Sequence, residues 1–401
     1  MKQWNLSVCG CCLVDHLYPN IDFGSPVIKR LLSRKNGDGG IAPGKLVFAE
    51  DLQTFAGIDF DALLEEITGD PSSGIENIGG PAIVGAVNVS QILYDKPVSV
   101  HFYGAYGNDE AGAFVLSMIG QTDVDMTNFR VYPGATPCTS VLSDPRANGG
   151  KGERTFLNRI GAAAAMTPDQ LGDSFFSSDI LWFSATALVP GLHDSLGELL
   201  RRGRKEGKLN IVSTVFDFRN EKKNPNAPWP LGYPDSWKDM DLLIVDADEA
   251  MRLSGESTLE AACRFFTKSG VSAFFVTHGA KVFHAWSDGR LFLPSSRIYD
   301  LPVSALVGKD MEEHPEKIGD TTGCGDNFAG GIVASLIMQM DAGRKPGAFS
   351  LLEAAAWGAA SGGAACFQIG GTHIEKTRGE KYRILARYAD AYARETAGFK
   401  L

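Results

Sequence analysis

The sequence lacks most of the features that would assign a class at once. No apolar run approaches the ~18 residues that a membrane-spanning helix requires, so no membrane partner is expected. Basic residues are in deficit. Lys and Arg together number 38 against 48 Asp and Glu, a net charge of −10. Such a chain repels polyanions, which makes nucleic acid a poor partner but leaves room for a local basic cleft around a small phosphorylated ligand. Internal repeats and low-complexity tracts are absent. The start, MKQWNLSVCGCCLVDHL, has no basic segment followed by a long apolar one, so it does not read as a signal peptide and a cytoplasmic location is expected. Cysteines number seven, odd and irregularly spaced, which excludes a disulfide framework. Cys9, Cys11 and Cys12 fall in the apolar run LSVCGCCLV with no second Cys/His pair at zinc-finger spacing, so they read as strand packing.

What is present is an alternation. Short apolar runs at 6–14, 98–104, 180–185, 209–218, 242–246 and 272–277 predict strands. Several are apolar on both faces, as strands covered on two sides must be. Helical patterns near 80–94, 109–120, 192–206, 256–269, 327–341, 351–366 and 378–395 lie between or after them. Repeated strand–helix–strand units predict an α/β fold with a mostly parallel sheet between helices. Two stretches break the rhythm, 16–75 and 134–161. The second carries a glycine turn at Asn148–Gly150 and alternates like strands. Excursions from the strand ends of such a sheet are expected to form a lid, here about 16–50 and 134–160, within a single domain over 1–401.

The stretch GDTTGCGDNFAGG, Gly319–Gly331, carries the chemistry. After Asp326, apolar residues recur every four positions through Met340, which predicts a buried helix. Gly323, Cys324, Gly325 and Asp326 therefore lie at a helix N-terminus, where free N–H groups and the positive end of the dipole attract anions. The glycines let a phosphate reach the backbone. No Walker A loop is present, since no Gly-Lys pair is followed by Ser or Thr, and Phe328 stands where a dinucleotide fingerprint needs its third glycine.

DTTGCGDNFAGG resembles the second signature of the PfkB/ribokinase family of small-molecule kinases, D-T-x-G-(A/C)-G-D-x-F. The resemblance implies a ribokinase-like three-layer α/β/α sandwich with a small β lid, and transfer of the ATP γ-phosphoryl group to a hydroxyl of a small sugar or sugar-like alcohol. It implies that Asp326 is the general base and that the N–H groups of Gly323, Cys324, Gly325 and Asp326 form the anion hole, with Cys324 a small spacer. Gly10 and Asp15 resemble the family's G-x-x-x-x-D, in which the Asp accepts substrate hydroxyls. Gly79–Gly80 resemble its first signature, but Val84 stands where the family has Asn. Asn88, one turn on, is the candidate substitute. Gly107 and Asp109 resemble a segment beside the substrate pocket, and Arg154 a lid residue reaching substrate or phosphate. Asp246 and Glu249 resemble the family's N-x-x-E pair and imply Mg²⁺. Thr277, Gly279, Thr321 and Trp357 are the implied nucleotide-side residues. The resemblance also leaves open a monovalent cation and a homodimer through the lid. A nucleoside kinase is the nearest alternative, and a non-catalytic ligand-binding member of the fold a distant one.

Overall fold

The apolar run at 6–14 does not stay in one sheet. In the computed structural model, which describes residues 2–35, 37–150 and 152–399, it splits into β1 (Trp4–Gly10) and β2 (Leu13–Tyr18), and the chain passes from one sheet to another at Cys11–Cys12. Asn36 and Lys151, within the two expected lid segments, and the termini of the 1–401 span lie outside the described residues. The remaining strands are β3 (Leu46–Phe48), β4 (Ile75–Gly79), β5 (Val98–Tyr106), β6 (Val124–Val131), β7 (Cys138–Asp144), β8 (Glu153–Arg159), β9 (Ile180–Ser184), β10 (Leu209–Ser213), β11 (Leu242–Asp246), β12 (Ala273–Thr277), β13 (Phe283–Ser287) and β14 (Tyr299–Leu301).

Nine strands form the core sheet in the order β14-β13-β12-β11-β10-β9-β1-β5-β6. It is parallel from β12 through β6, and antiparallel only at β12–β13 and β13–β14. Alternating residues of each strand feed two apolar cores. Leu6, Val8, Ile180 and Trp182 pack beneath one helical layer, and Cys9, Leu181 and Phe183 beneath the other. This is the mostly parallel sheet between helical layers that the strand–helix alternation predicts. The helix Cys324–Asp341 runs through the first layer. Gly330 and Gly331 let the helix Pro81–Ile92 and the helix Leu351–Ala365 approach so closely that added Cβ atoms would lie 2.9 Å from Asn88 Nδ2 and 2.3 Å from the Trp357 carbonyl oxygen. Dense packing of this kind holds the helix N-terminus still.

The lid is a second sheet, β3-β8-β7-β2-β4. It begins earlier than position 16 and, on its first excursion, runs past 50 to Gly79. The register sorts its two faces. Tyr18, Leu142, Leu157 and Val47 point to one face and bury against the helices Pro26–Leu31, Ala49–Ala56 and Phe60–Thr68, giving the lid its own apolar core. Asp15, Thr139, Asn158 and Arg154 point to the other. The chain crosses between lid and core four times, near residues 10–13, 79–81, 131–138 and 159–161. Gly10, Gly80, Gly134 and Gly161 stand at these crossings, all with positive φ. The crossings touch in pairs, since a Cβ on Gly80 would meet the Cys11 carbonyl at 2.7 Å and one on Gly161 the Ala135 carbonyl at 2.2 Å.

Candidate active site

Asp326 stands in the first turn of the helix Cys324–Asp341, preceded by Gly323 in the left-handed region at φ 73°. That turn starts the helix, and the Cys324 N–H donates back to the Thr321 carbonyl at 3.4 Å. The loop leading into it is held from behind. Gly319 N–H donates to the Cys366 carbonyl at 2.9 Å and Asp320 N–H to the Gln368 carbonyl at 2.8 Å. The Asp320 carboxylate accepts from Thr322 N–H at 2.6 Å and from Gly370 N–H at 3.3 Å. Asn327 fastens the helix start from below: its amide donates to the carbonyls of Gly323 and Gly371, both at 2.9 Å, and its oxygen accepts from Lys381 at 3.3 Å.

Burial and mutual repulsion set the chemistry of these acids. Asp326 is half-buried at the helix start, and burial pushes its carboxyl up to about 7. Asp15, on β2, is pushed up to about 8 by burial, with Asp326 and Asp320 repelling it further. A side chain on Gly79 would collide with the Asp15 carboxylate at 2.1 Å, so only glycine leaves the acid room there. Glu249 is pushed up to about 8 by burial and by repulsion from Asp246 and Asp326. Asp246 ends β11 and caps the helix Ala247–Ser254. The two acids form a capping box, with Glu249 N–H donating to Asp246 at 2.8 Å, and Thr214 Oγ1 donates to Glu249 at 2.5 Å. A buried Glu249 beside the exposed Asp246, two acids that repel one another, fits a divalent ion held partly through water, the usual situation for Mg²⁺. Among the described residues no three His, Cys, Asp or Glu side chains converge as a complete metal cage.

The second sheet reaches this loop through Arg154. Its guanidinium donates to Thr322 Oγ1 at 2.7 Å and to Thr321 Oγ1 at 2.6 Å, and lies 4.0 Å from Asp320. Thr277 ends β12 directly beside Asp246 in the sheet register, and Gly279 follows in the adjoining turn with open space around it.

Other expected residues serve the frame. Asp109 caps the helix Glu110–Ile119 by accepting from Gly112 N–H and also accepts from Thr136 N–H and Oγ1, so its carboxyl is held below the usual range. Gly107 packs against the same segment, where a Cβ would lie 2.5 Å from Thr136 N. Asn88 has no exposed surface. Its amide donates to the Asn327 carbonyl at 2.9 Å between two helices, so it does not stand in for the missing family Asn at the cleft. Val84 instead lies against Gly371. Trp357 stacks on Tyr382 at 5.6 Å. Asp217 pairs with buried His193 at 3.0 Å, and Arg219 pairs with Asp194.

The register also reveals a row that the sequence reading missed. Asn77, Asp15, Thr139 and Asn158 are consecutive partners across β4, β2, β7 and β8, on the face opposite the lid's own core. Asn158 Nδ2 donates to Thr139 Oγ1 at 2.8 Å, while its buried Oδ1 has no protein partner.

The family model described as pfkB family carbohydrate kinase matches residues 55–378, most of the chain. The chain belongs to the pfkB family of carbohydrate kinases. It is a phosphotransferase with an alcohol acceptor, and members of this family use ATP as donor, generally with a divalent metal. It is 22% identical to a fructokinase of Vibrio alginolyticus over 82% of this chain and 97% of that one. It is 25% identical to an aminoimidazole riboside kinase of Salmonella typhimurium over 59% of this chain and 67% of the relative. An adenosine kinase of Sinorhizobium meliloti shares its fold, with a TM-score of 0.68, 16% identity and coverage of 96% and 99%.

Proposed function

We propose that this pfkB kinase phosphorylates a hydroxymethyl group of a small polyhydroxylated acceptor, a sugar or sugar-like alcohol, with Asp326 as general base. The observation that carries the reading is the position of Asp326. A carboxyl pushed up to about 7 by burial, in the first turn of a helix, can take a proton from a hydroxyl on one side while N–H groups of that turn bind phosphoryl oxygens on the other. In the transfer, the acceptor oxygen bonds to the γ-phosphorus, the bond from that phosphorus to the ADP oxygen breaks, and the acceptor's proton passes to Asp326. Gly323, Cys324 and Gly325 supply N–H groups to the transferring oxygens. Arg154, docked on Thr321 and Thr322, brings a fixed positive charge to the same loop and keeps water out when the lid is down. Asp246 and Glu249 would hold Mg²⁺ through water, and the ion would neutralise phosphate charge. Thr277 and Gly279 border the nucleotide side. A monovalent cation near the Asp320–Gly323 loop rests on family resemblance alone.

Asp15 would accept two hydroxyls of the acceptor, and Asn158 Oδ1 a third. This polar row offsets the loss of the family Asn at Val84. A nucleoside acceptor is the second reading, favoured by the likeness to a riboside kinase. A cytoplasmic location goes with either reading and is supported by the seven unbridged cysteines. Dimerisation through the lid would have to use an edge strand, since the lid's own helices cover one face.

The test is ADP release from Mg-ATP across pentoses, hexoses, ketoses, polyols and nucleosides, with Asp326→Asn alongside. One acceptor giving turnover that the variant loses supports the reading. Turnover retained by a folded Asp326→Asn protein overturns the role of the base.

A further inference from the structure

Two thiols meet beside the anion hole. Cys324 is the first residue of the helix that carries Asp326, and Cys366 caps the end of the helix Leu351–Ala365. Their sulfurs are 3.4 Å apart, and both residues are partly exposed. The Cys366 carbonyl also accepts the N–H of Gly319, so Cys366 grips the phosphate loop at its entrance while its sulfur touches the loop's exit. We propose that Cys324 and Cys366 are a reversible redox pair, and that their oxidation to a disulfide disables the anion hole. The inference rests on the kinase reading for its consequence, though not for the cross-link itself.

The geometry gives both the bond and its effect. A disulfide needs an S–S distance of about 2.05 Å, so the sulfurs must close by more than 1 Å. Cys366 is held by its backbone bonds to Gly363 and Gly319. The adjustment therefore falls on the start of the Cys324 helix, where the N–H groups of Gly325 and Asp326 must keep their aim to within fractions of an ångström.

The pair is also suited to begin the reaction. The two thiols share a hydrogen bond, and this contact pulls Cys366 down to about 7 and pushes Cys324 up. The oxidant is a hydroperoxide. The Cys366 thiolate attacks a peroxide oxygen, the O–O bond breaks, and a sulfenic acid and hydroxide result. The Cys324 sulfur then attacks the Cys366 sulfur and expels a second hydroxide, and the two thiol protons convert both hydroxides to water. Two thiols lose two electrons in total and one hydrogen peroxide becomes two waters. The other cysteines are poorer targets. Cys9, Cys11, Cys12 and Cys263 are buried, and burial pushes each of their thiols up, as it does Cys138, to about 11.

The experiment treats the full-length protein with hydrogen peroxide, maps peptides under non-reducing conditions, and measures ATP binding and turnover before and after dithiothreitol. The expected result is a 324–366 cross-linked peptide, at least a tenfold loss of turnover, and recovery on reduction. Cys366→Ser should keep basal turnover and become insensitive to peroxide. If that variant does not fold, Cys366→Ala serves the same purpose. Absence of the cross-link overturns the proposal, and so does a cross-linked protein with unchanged ATP binding and turnover. The peptide map needs no acceptor, so a failed kinase reading would show in the acceptor panel while leaving the cross-link in place.

Discussion

Asp326 in the phosphate loop's helix and Asp109 at the lid hinge are both aspartates in or beside a helix's first turn, yet their carboxylates sit in opposite conditions. Asp109 has three donors on it and is held below the usual range, whereas burial with no compensating partner drives Asp326 up to about 7. Asp15 shares the condition of Asp326, Glu249 is raised by burial and repulsion despite the Thr214 hydroxyl it accepts, and Asp217 at its own helix cap shares the condition of Asp109. The difference separates acids that donors hold ionised from acids that burial raises, and the proposed function gives the raised ones to a proton, a cation and a substrate hydroxyl. A site of the second kind is held at the cost of stability.

Asp326→Asn tests this contrast hardest. It should lower turnover by 10³-fold or more, because an amide cannot accept the proton, and at the same time raise the melting temperature at pH 8. The sign follows from linkage. A carboxyl whose folded pKa lies above its unfolded value favours folding below the unfolded value and loses that contribution as pH rises through about 7. Removing the charge recovers at most about 4 kcal/mol at high pH. A variant that is inactive and also less stable would break the comparison.

The pH profile comes next. Turnover under saturating substrates should fall about tenfold per pH unit below 7, as the base becomes protonated. A profile flat down to pH 5.5 would reassign the base. Asp15→Asn should raise the acceptor KM by tenfold or more and change the ATP KM little, which steady-state kinetics with each substrate varied would resolve. Asp109→Ala should do least to turnover, within a few-fold, while destabilising the fold by about 1–3 kcal/mol through loss of its cap and strap. A thermal melt checks it, and a selective loss of turnover would move Asp109 into the chemistry.

Which residues could be read from sequence follows the range of the interactions that place them. Asp326 and its glycines are contiguous with the helix they begin, and Asp246 and Glu249 form a box three residues wide, so local pattern suffices for both. The row Asn77–Asp15–Thr139–Asn158 depends on the register of four strands drawn from distant parts of the chain, which no local period encodes. Asn88 was misplaced for a related reason. Four residues along a helix keep the face but move about 6 Å along the axis, and that step carries the side chain from the cleft end into the packing against Asn327. The split at Cys11–Cys12 was hidden because both halves of the run are buried and apolar, so composition does not change where the sheet does.

The paired crossings beneath the lid have a mechanical consequence. Four chain segments act as two double joints, each with the backbone of one segment seated against a glycine of the other. A rotation begun at Gly10 is felt at once by Gly80, and one begun at Gly134 by Gly161. If this sheet acts as a lid, the paired joints would turn it as a stiff panel and not strand by strand. Any stroke would be set by four small residues, so a single methyl group added at any of these joints would act as a brake on the whole panel.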